Sequence, residues 1–330
     1  MNLLTASSAK AARACGRLYQ MRYIDGWGPA HEAAVLRFGT LVHHGLEAWW
    51  RAAMAGTGRR AAALAAMEGE SDPYELAKAR ALLIGYDARW GDLAMEVLAV
   101  EVEFRALLVN PETGAPSRTF EMGGKIDAVV RVDGRVLLVE HKTSSEDVRP
   151  GSDYWRRLRI DGQISHYFAG ARALGFDVEG CLYDVVSKPG IRPLKATPVE
   201  ARKYTKDGRL YAAQRTEDET PEAYFARVGG DIAADPSGYF QLGEVARIGA
   251  DLDEHAADLW LTADLMRGIH RSGRAARNPD ACVRYGRTCD FFDVCTGAAS
   301  LDDATRSVRK APHSELSDAG TQGAKEEPTP

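Results

Sequence analysis

Two kinds of hydrophobic spacing divide the chain into predicted helices and strands. Apolar residues that recur every three or four positions share one face of a helix, whereas alternation with polar residues gives a strand with one buried face. Helical spacing covers residues 6–22, 32–55, 73–90, 161–174, 220–229 and 251–271, and strand-like runs cover 95–108, 118–132, 135–143, 181–187 and 238–247. Asp72 before Pro73 marks the start of the third helix, because a cap residue followed by proline is typical of helix N-termini. The order of elements predicts an α/β (α+β) fold with a mixed sheet flanked by helices.

Two of the predicted strands are separated by Asp133 and Gly134, a dipeptide typical of two-residue hairpin turns. If this pair forms the turn, counting back along both strands puts Asp127 opposite Glu140 on one face. Directly opposed residues have Cβ atoms about 5 Å apart, and two like charges there destabilise the pair unless a cation lies between them. Carboxylate oxygens are ligands that Mg²⁺ takes. The hairpin is therefore a candidate metal site.

Lys142 shares the face of Glu140, because side chains alternate along a strand. An ammonium group about 6–7 Å from the carboxylate is well placed to orient or polarise a metal-bound water. The alternative is a solvated hairpin face on which Lys125, Asp127, Glu140 and Lys142 form a ladder of cross-strand ion pairs. The hairpin alone leaves both interpretations open.

His43 lies beside the apolar stripe of the helix predicted over 32–55, with Gly39 and Glu47 on the same face. Gly39 removes bulk one turn before the histidine, at a cost of about 1 kcal/mol of helix propensity relative to alanine. Another backbone could approach there. The histidine is either a metal ligand or a buried side chain satisfied at the edge of the core, whereas His44 points elsewhere and is expected to be exposed.

Five cysteines in 330 residues do not describe a disulfide scaffold, and three of them cluster near the C-terminus with the spacing C-x6-C-x5-C. These are Cys282, Cys289 and Cys295, and Cys15 is the candidate for a fourth ligand. Four thiolates can hold a 4Fe-4S cluster or a structural zinc ion, and spacing does not decide between them. Cys181 lies in an apolar run and is predicted to be a small buried residue.

Two motifs in the middle of the chain resemble those of the PD-(D/E)xK nuclease superfamily. Asp127, twelve residues, then Glu140-x-Lys142 is similar to the metal-binding core of that superfamily. Gln163 and Tyr167 follow, four residues apart and so on one face of a helix. They resemble the QxxxY helix of the RecB-like branch.

Two further segments extend the resemblance to both ends of the chain. Residues 38–43 resemble the helix on which the RecB-like branch carries a histidine near the metal. One N-terminal cysteine with three near the C-terminus is similar to the iron-sulfur staple of RecB-like nucleases, including CRISPR adaptation nucleases and AddB-type nuclease domains. Several of those have a shorter first gap than the C-x6-C found here.

The resemblance implies a restriction-endonuclease-like sheet and a Mg²⁺- or Mn²⁺-dependent deoxyribonuclease, and an exonuclease is the expected type. The implied catalytic residues are Asp127, Glu140, Lys142, Gln163 and Tyr167. The implied metal ligands are His43, Asp127, Glu140 and the backbone carbonyl of His141. The implied cofactor is a 4Fe-4S cluster, with structural zinc as the alternative, and its ligands would be Cys15, Cys282, Cys289 and Cys295. An upstream acidic residue can assist the metal site in this branch, and Glu103 is the candidate over Glu101.

Length and composition suit one large domain. The resemblance implies that this is a nuclease domain over residues 1–298, with N-terminal helices over 1–92, a catalytic core over 93–190 and a C-terminal part over 191–298 that carries the cysteine cluster. Residues 299–330 lack aromatic residues and are rich in polar residues, glycine and proline, so a disordered tail is expected. No apolar run approaches the roughly 18 to 20 residues of a membrane span, which predicts a soluble, cytoplasmic protein.

The formal net charge is only −5, so DNA binding must come from local basic surface. One basic stretch interleaves arginine with aromatic residues before the predicted Gln163 helix, and a second runs into the cysteine segment. The first stretch comprises Arg149, Tyr154, Trp155, Arg156, Arg157 and Arg159. The second comprises Arg267, Arg271, Arg274, Arg277, Arg284 and Arg287. Besides DNA, candidate partners are a helicase, because the sequence has no phosphate-binding loop of the helicase type, and recombination or CRISPR proteins. The alternatives are a non-catalytic DNA-binding or assembly module with the same fold, and a zinc-stapled hydrolase of unrelated fold.

Overall fold

The computed structural model describes residues 1–31, 33–284 and 287–316. The helices are α1 (Ala6–Ala14), α2 (Gly16–Tyr19), α3 (Ala34–Ala55), α4 (Arg59–Ala65), α5 (Pro73–Trp90), α6 (Asp153–Arg157), α7 (Gly162–Ala173), α8 (Pro221–Ala234), α9 (Pro236–Tyr239), α10 (Gly249–Ser272) and α11 (Phe292–Thr296). The strands are β1 (Asn2–Leu4), β2 (Trp27–Pro29), β3 (Glu96–Val109), β4 (Pro116–Val132), β5 (Arg135–Ser144), β6 (Gly180–Ser187), β7 (Phe240–Val245), β8 (Val283–Arg284), β9 (Arg287–Thr288) and β10 (Ser307–Arg309).

The central sheet has the order β1-β4-β5-β6-β7, and β3 also pairs with β4. The β3–β4, β4–β5 and β6–β7 pairs are antiparallel, whereas β1–β4 and β5–β6 are parallel. Because β3 runs along nearly the whole of β4, both β1 and β5 must use the opposite edge of β4. The predicted fold class, a mixed sheet flanked by helices, is confirmed.

Helices cover both faces of this sheet. On one face, Val42 of α3 and Val228 of α8 belong to the same buried cluster as Val130 of β4. On the other face, Phe168 of α7 packs in a cluster with Val129 of β4. A strand buried on both faces has a continuous apolar sequence, which explains the runs of valine and leucine in the hairpin strands.

The helix predicted over residues 6–22 is interrupted. The α1 helix ends at Ala14, and Cys15 has an extended backbone with φ −162° before α2 begins. Directly after the break, the backbone N–H of Arg17 donates to the carbonyl of Ala276 at 3.0 Å. The sequence contained no local sign of this break, because the bond joins segments far apart in the chain.

Other predicted boundaries agree more closely with the structure. The α5 helix spans Pro73–Trp90 as predicted, and the side chain of Asp72 accepts hydrogen bonds from the backbone N–H groups of Tyr74 and Glu75. The α8 helix continues past the predicted end at residue 229, because Ile232 adds a buried residue to its core face. Short elements such as β1 were not predicted, because three residues are too few to show an alternating pattern.

The predicted disordered tail is wrong for part of its length. Within residues 299–330, Ser307 is buried and pairs with β2 in an antiparallel ladder, and the guanidinium of Arg309 lies 3.9 Å from the ring centroid of Trp27. The aromatic residue that holds this strand is supplied by a distant segment, so the composition of the tail did not reveal it. Residues 317–330 lie outside the described residues.

Among the described residues, no helix combines the length and apolar character that crossing a bilayer requires.

Candidate active site

The candidate site lies where β4 and β5 separate. The two strands pair from Val132–Arg135 to Ala128–Val139, in the register predicted from the Asp-Gly turn. On the same edge of β4, the pairing with β1 ends at Met122. Residues 123–127 therefore lie in the gap between β1 and β5, and Asp127 is the last of them before the hairpin ladder begins.

Asp127 also stabilises the point at which β4 and β5 separate, which we call the fork. Its Oδ2 atom accepts the backbone N–H of His141 at 2.7 Å, so a side chain continues the bonding where the backbone ladder ends. This bond directs the carboxylate towards the start of the Glu140–Lys142 segment. The structure thus brings together the two acidic residues that the sequence pattern paired, and the charge of Asp127 acts on Glu140.

Glu140 is only 2 % exposed although it carries a carboxylate. Burial raises its pKa to about 7, the Lys142 ammonium opposes that shift, and Asp127 adds to it. Oε1 of Glu140 contacts Nζ of Lys142, whereas the buried Oε2 has no hydrogen-bond partner within the described part of the chain. Burial disfavours the charged lysine, but the charges of Glu140 and Asp127 raise the pKa of Lys142 overall. Glu140 is therefore a buried carboxyl group held by a half-buried lysine, with one oxygen available to bind a ligand.

His43 reaches the site from α3 and is half-buried. Burial lowers its pKa to about 4, although the Asp127 charge opposes the shift. The ring is therefore neutral near pH 7, the form in which histidine binds metals. Gly39 lies against β5, where an added Cβ would come within 3.1 Å of the Thr143 hydroxyl. The close approach that the sequence suggested at Gly39 is present.

A third carboxylate lies next to Asp127 on β3. The pairs Val100–Ala128 and Val102–Ile126 bracket Glu101 and Asp127, which places these two residues at one level of the sheet. The carboxylate of Glu101 contacts Nζ of Lys125 at 2.6 Å. Burial raises the pKa of Glu101, and the Asp127 charge raises it further.

Glu101 has a left-handed backbone with φ 52°, which is uncommon for a residue with a side chain. In a regular strand, Val100 and Val102 would lie on the same face of the sheet. Here Val100 packs on the α3 face and Val102 on the α7 face, so the alternation of β3 is broken at Glu101. Glu103 was the predicted upstream acidic residue, but the residue beside Asp127 is Glu101. A regular alternating pattern could not show this, because the backbone irregularity lies at the site itself.

His141 points away from the other two residues of its motif, into a buried polar chain. Its Nδ1 atom lies 2.8 Å from Oδ2 of Asp184, and the Tyr86 hydroxyl donates to the same oxygen at 2.6 Å. The indole N–H of Trp50 donates to the Tyr86 hydroxyl at 3.2 Å. Burial lowers the pKa of His141, but the hydrogen bond and charge of Asp184 raise it overall. The sequence pattern did not reveal this chain, in which the bonded residues Tyr86 and Asp184 lie 98 positions apart.

Gln163 and Tyr167 form one unit on α7. The side-chain amide of Gln163 donates to the Tyr167 hydroxyl at 2.9 Å, which confirms that they share a helix face. Burial raises the pKa of Tyr167, and the charges of Glu140 and Asp127 raise it further, so this tyrosine faces the carboxylates. An added Cβ at Gly124 would lie 3.3 Å from its ring, which shows how closely α7 covers the gap in the sheet.

The first basic stretch differs from the prediction. Tyr154 is buried and therefore cannot stack on a base, and the half-buried Trp155 donates its indole N–H to the carbonyl of Val148 at 2.7 Å. Arg157 pairs with Glu146 at 2.8 Å, and Arg149 pairs with Asp235 at 3.1 Å. Both aromatic residues pack against the core here, and three of the four arginines lie on the surface in ion pairs.

The four cysteines that the sequence grouped line one cavity of about 490 Å³. The backbone N–H of Cys289 donates to the carbonyl of Cys282 at 2.8 Å, and Cys15 lies at the break after α1. Burial raises the pKa of the Cys289 and Cys295 thiols, and neighbouring cysteines add to both shifts. Cys181 is buried as predicted.

Neither the carboxylate site nor the cysteine cavity is arranged as a metal centre within the described residues. Over residues 1–31, 33–284 and 287–316, no three or more histidine, cysteine, aspartate or glutamate side chains are arranged as a set that could hold a metal ion. In the carboxylate site, Lys142 and the N–H of His141 contact oxygens of Glu140 and Asp127. In the cysteine cavity, the thiols share a space without a ligand geometry.

Comparison with known proteins identifies the family. The model of the PD-(D/E)XK nuclease superfamily matches residues 3–296. A crystal structure named "Putative exonuclease", from Eubacterium rectale, is 13 % identical, with 97 % of this chain and 94 % of that chain covered and a TM-score of 0.43. The crystal structure of SSO0001 is 15 % identical, with 71 % and 76 % covered and a TM-score of 0.29. No curated protein matches. Since the family match runs from the first strand through the hairpin to the cysteine segment, the chain belongs to the PD-(D/E)XK nuclease superfamily.

Proposed function

We propose that the protein is a metal-dependent DNA nuclease of the RecB-like type that hydrolyses phosphodiester bonds, acting as an exonuclease. The observation that supports this most strongly is Glu140, a buried carboxylate with one unpartnered oxygen beside Asp127 and in contact with Lys142. A purely structural ion pair has no need of a second carboxylate whose charge opposes it. We propose DNA recombination, repair, phage or CRISPR-related processing as the setting.

The donor types at the site suit Mg²⁺ or Mn²⁺, although one oxygen of each carboxylate already contacts a protein donor. Asp127 and Glu140 offer carboxylate oxygens, His43 is neutral near pH 7, and the backbone carbonyl of His141 is a further candidate ligand. A bound ion would supply Lewis acidity at the scissile phosphate and lower the pKa of a bound water. It would also give the buried Oε2 of Glu140 the partner that this atom lacks among the described residues.

The other side chains have separate roles in this proposal. Lys142 holds its proton beside Glu140 and directs positive charge towards the site, where it would orient water or offset charge growing on the phosphate oxygens. Gln163 fixes the hydroxyl of Tyr167, so the pair would orient the motif and the DNA backbone. Glu101 adds negative charge at Asp127, and Lys125 partly balances it.

The nuclease proposal is tested by incubating end-labelled single- and double-stranded DNA anaerobically with Mg²⁺, Mn²⁺ or EDTA. We expect metal-dependent cleavage by the wild type and its loss in Asp127→Asn and Glu140→Gln, which keep side-chain size but weaken metal binding. Products that shorten from one end would support an exonuclease, whereas internal cuts would contradict that part of the proposal. Binding without cleavage under every metal would favour a non-catalytic DNA-binding or assembly module.

We also propose that Cys15, Cys282, Cys289 and Cys295 hold a 4Fe-4S cluster, with structural zinc as the alternative. Their shared cavity supports this, because it collects cysteines from both ends of the chain. A cluster there would tie the break after α1 to the C-terminal segment, and its role would be structural.

Loss of a cavity cysteine should remove the cluster. After anaerobic purification, the wild type should contain iron and acid-labile sulfide, and Cys282→Ala should lose most of both, because three thiolates hold a four-iron cluster poorly. Cys181→Ala is the matched control, since Cys181 is buried in the sheet core outside the cavity, and it should keep its iron. Stoichiometric zinc without iron would support the alternative, and the absence of both metals would contradict a cysteine-bound centre.

A further inference from the structure

A long segment between β6 and α8, residues 188–219, leaves the sheet beside the candidate site. We call it the basic arm. Its first residue follows Ser187, which pairs with Ser144 at the end of the strand that carries Glu140 and Lys142. The backbone N–H of Lys188 donates to the carbonyl of Ser144 at 2.7 Å. The arm is therefore attached directly to the end of the motif-bearing strand.

The base of the arm is closed by a buried carboxylate. Glu219 is 2 % exposed, pairs with Arg227 of α8 at 2.7 Å and accepts the backbone N–H of Leu194 at 2.9 Å. In return, the N–H of Glu219 donates to the carbonyl of Leu194 at 2.8 Å. These bonds bring the two ends of the excursion together, so the residues between them project as one structured unit.

Residues 203–211, which we call the arm tip, are shaped by backbone bonds. The N–H of Tyr211 donates to the carbonyl of Lys203 at 3.1 Å, and the N–H of Thr205 donates to the carbonyl of Arg209 at 2.7 Å. Gly208 supplies the left-handed position of the turn with φ 73°. Of the tip side chains, that of Thr205 also supports the turn, because its hydroxyl accepts the backbone N–H of Arg209 at 3.2 Å. The tyrosine, lysine and arginine side chains are not needed for these bonds, which leaves them available for a ligand.

The tip exposes aromatic rings and unpaired positive charge. Because Tyr204 pairs with Leu210, Tyr204 lies on one face of this short hairpin, and Tyr211 lies on the other face with Lys203 and Arg209. Tyr204 and Tyr211 are 55 % and 50 % exposed, whereas the other tyrosines of the described structure are buried or half-buried. The cationic side chains at the tip are exposed and lack ion pairs among the described residues, in contrast to Lys195, which pairs with Asp218 at the base. The tip cations are Lys203, Lys206 and Arg209, with Asp207 as the acidic residue between them.

This combination fits a nucleic acid whose bases are unpaired. Cations contact phosphates of any strand, but an exposed ring can stack only on a base face that is free, and in a duplex those faces are already stacked on one another. Non-sequence-specific single-strand binders use a positively charged surface with interleaved aromatic residues. Exposed tyrosines could also bind another protein, but protein binding does not require three unpaired cations beside them. The positive charge therefore favours nucleic acid as the ligand.

We infer that the arm tip binds single-stranded DNA, stacking unpaired bases on Tyr204 and Tyr211 while Lys203, Lys206 and Arg209 contact phosphates. The inference rests on the proposed nuclease function and names its substrate class. The arm is attached at the Ser144 end of β5, the strand that carries Glu140 and Lys142.

The inference is tested by fluorescence anisotropy with the full-length protein in EDTA, using a labelled oligothymidylate and a duplex of equal length. The double variant Tyr204→Ala/Tyr211→Ala should weaken single-strand binding at least about 20-fold, because each stacked base contributes about 5- to 150-fold. Its effect on the duplex should stay within about 3-fold. Tyr204→Phe/Tyr211→Phe, which keeps both rings, should bind within about 3-fold of the wild type.

The cations are tested by the salt dependence of the same binding. Lys206→Ala/Arg209→Ala should reduce the slope of log affinity against log salt by about 0.7 for each charge removed. Lys10→Ala, which removes an exposed lysine from α1, is the control and should leave the slope unchanged.

Three outcomes would overturn the inference: no single-strand binding by the wild type, alanine variants that bind like the wild type, or equal losses for single strand and duplex. The second would instead suit a protein-docking arm. The readout is independent of cleavage. Tyrosine-dependent binding without metal-dependent cleavage would remove only the nuclease proposal, whereas cleavage with binding indifferent to both tyrosines would remove only the role of the arm.

Discussion

Lys142→Ala should reduce the rate of metal-dependent DNA cleavage by about 10²–10³-fold while DNA affinity changes by only a few fold. The lysine is the cation in contact with Glu140, and the charges of Glu140 and Asp127 keep it protonated. Its loss removes positive charge at the point where charge develops on the phosphate. DNA contacts made elsewhere on the surface stay in place. Single-turnover cleavage and anisotropy, measured on the same preparation, separate the two effects.

Lys125→Ala is the matched control for this experiment. Lys125 precedes Asp127 by two positions on β4, as Lys142 follows Glu140 by two positions on β5, and it pairs with Glu101 at 2.6 Å. We expect its removal to cost less than about tenfold in rate, because its charge is paired with Glu101 and not with Glu140. Equal losses in the two variants would show that general positive charge, and not the Lys142 ammonium, supports cleavage.

The hairpin could be predicted because its determinants are local. Asp133 and Gly134 have φ values of 48° and 82°, the left-handed pair that a two-residue turn of this type needs. Once the turn is fixed, the period of two along each strand sets the register as far as Ala128 and Val139. The same counting brought Asp127 and Glu140 to the end of the ladder.

The fork itself could not be derived from that counting. It depends on the bond from the His141 N–H to the Asp127 carboxylate and on β5 continuing alongside β6. Glu101 was missed for a related reason, since its left-handed backbone interrupts the alternation on which the strand prediction relies. In both places the departure from regular structure coincides with the cluster of ionisable groups.

Cysteine proximity was predicted in a different way. Cys15 and Cys295 are separated by most of the chain, and no periodicity connects them; the resemblance to a family suggested that they meet. They line one cavity in the structure. The break at Cys15 that permits this is fixed by the bond between Arg17 and Ala276, a contact between segments that local sequence patterns do not relate.

Asp184→Ala should lower the free energy of unfolding by about 3 kcal/mol. Asp184 is completely buried, and its Oδ2 atom is the shared acceptor for His141 and Tyr86. Alanine would leave an imidazole N–H and a phenol O–H without an acceptor inside the core. Guanidinium unfolding followed by fluorescence measures the loss as a lower midpoint at an unchanged slope.

Two conservative variants distinguish the hydrogen bonds from the charge. Asp184→Asn keeps an acceptor oxygen but removes the negative charge. Tyr86→Phe removes one donor to Asp184 and the acceptor of the Trp50 N–H, while leaving the His141 contact intact. We expect Tyr86→Phe to cost about 1.5 kcal/mol, Asp184→Asn to cost more than that, and Asp184→Ala to cost most. If the Asp184→Asn protein were as stable as the wild type, the buried charge would be dispensable.

The same variant connects the buried chain with catalysis. Since His141 lies between Glu140 and Lys142 in the sequence, a folded Asp184→Asn protein with slowed cleavage would show that this chain of bonds also positions the two flanking side chains.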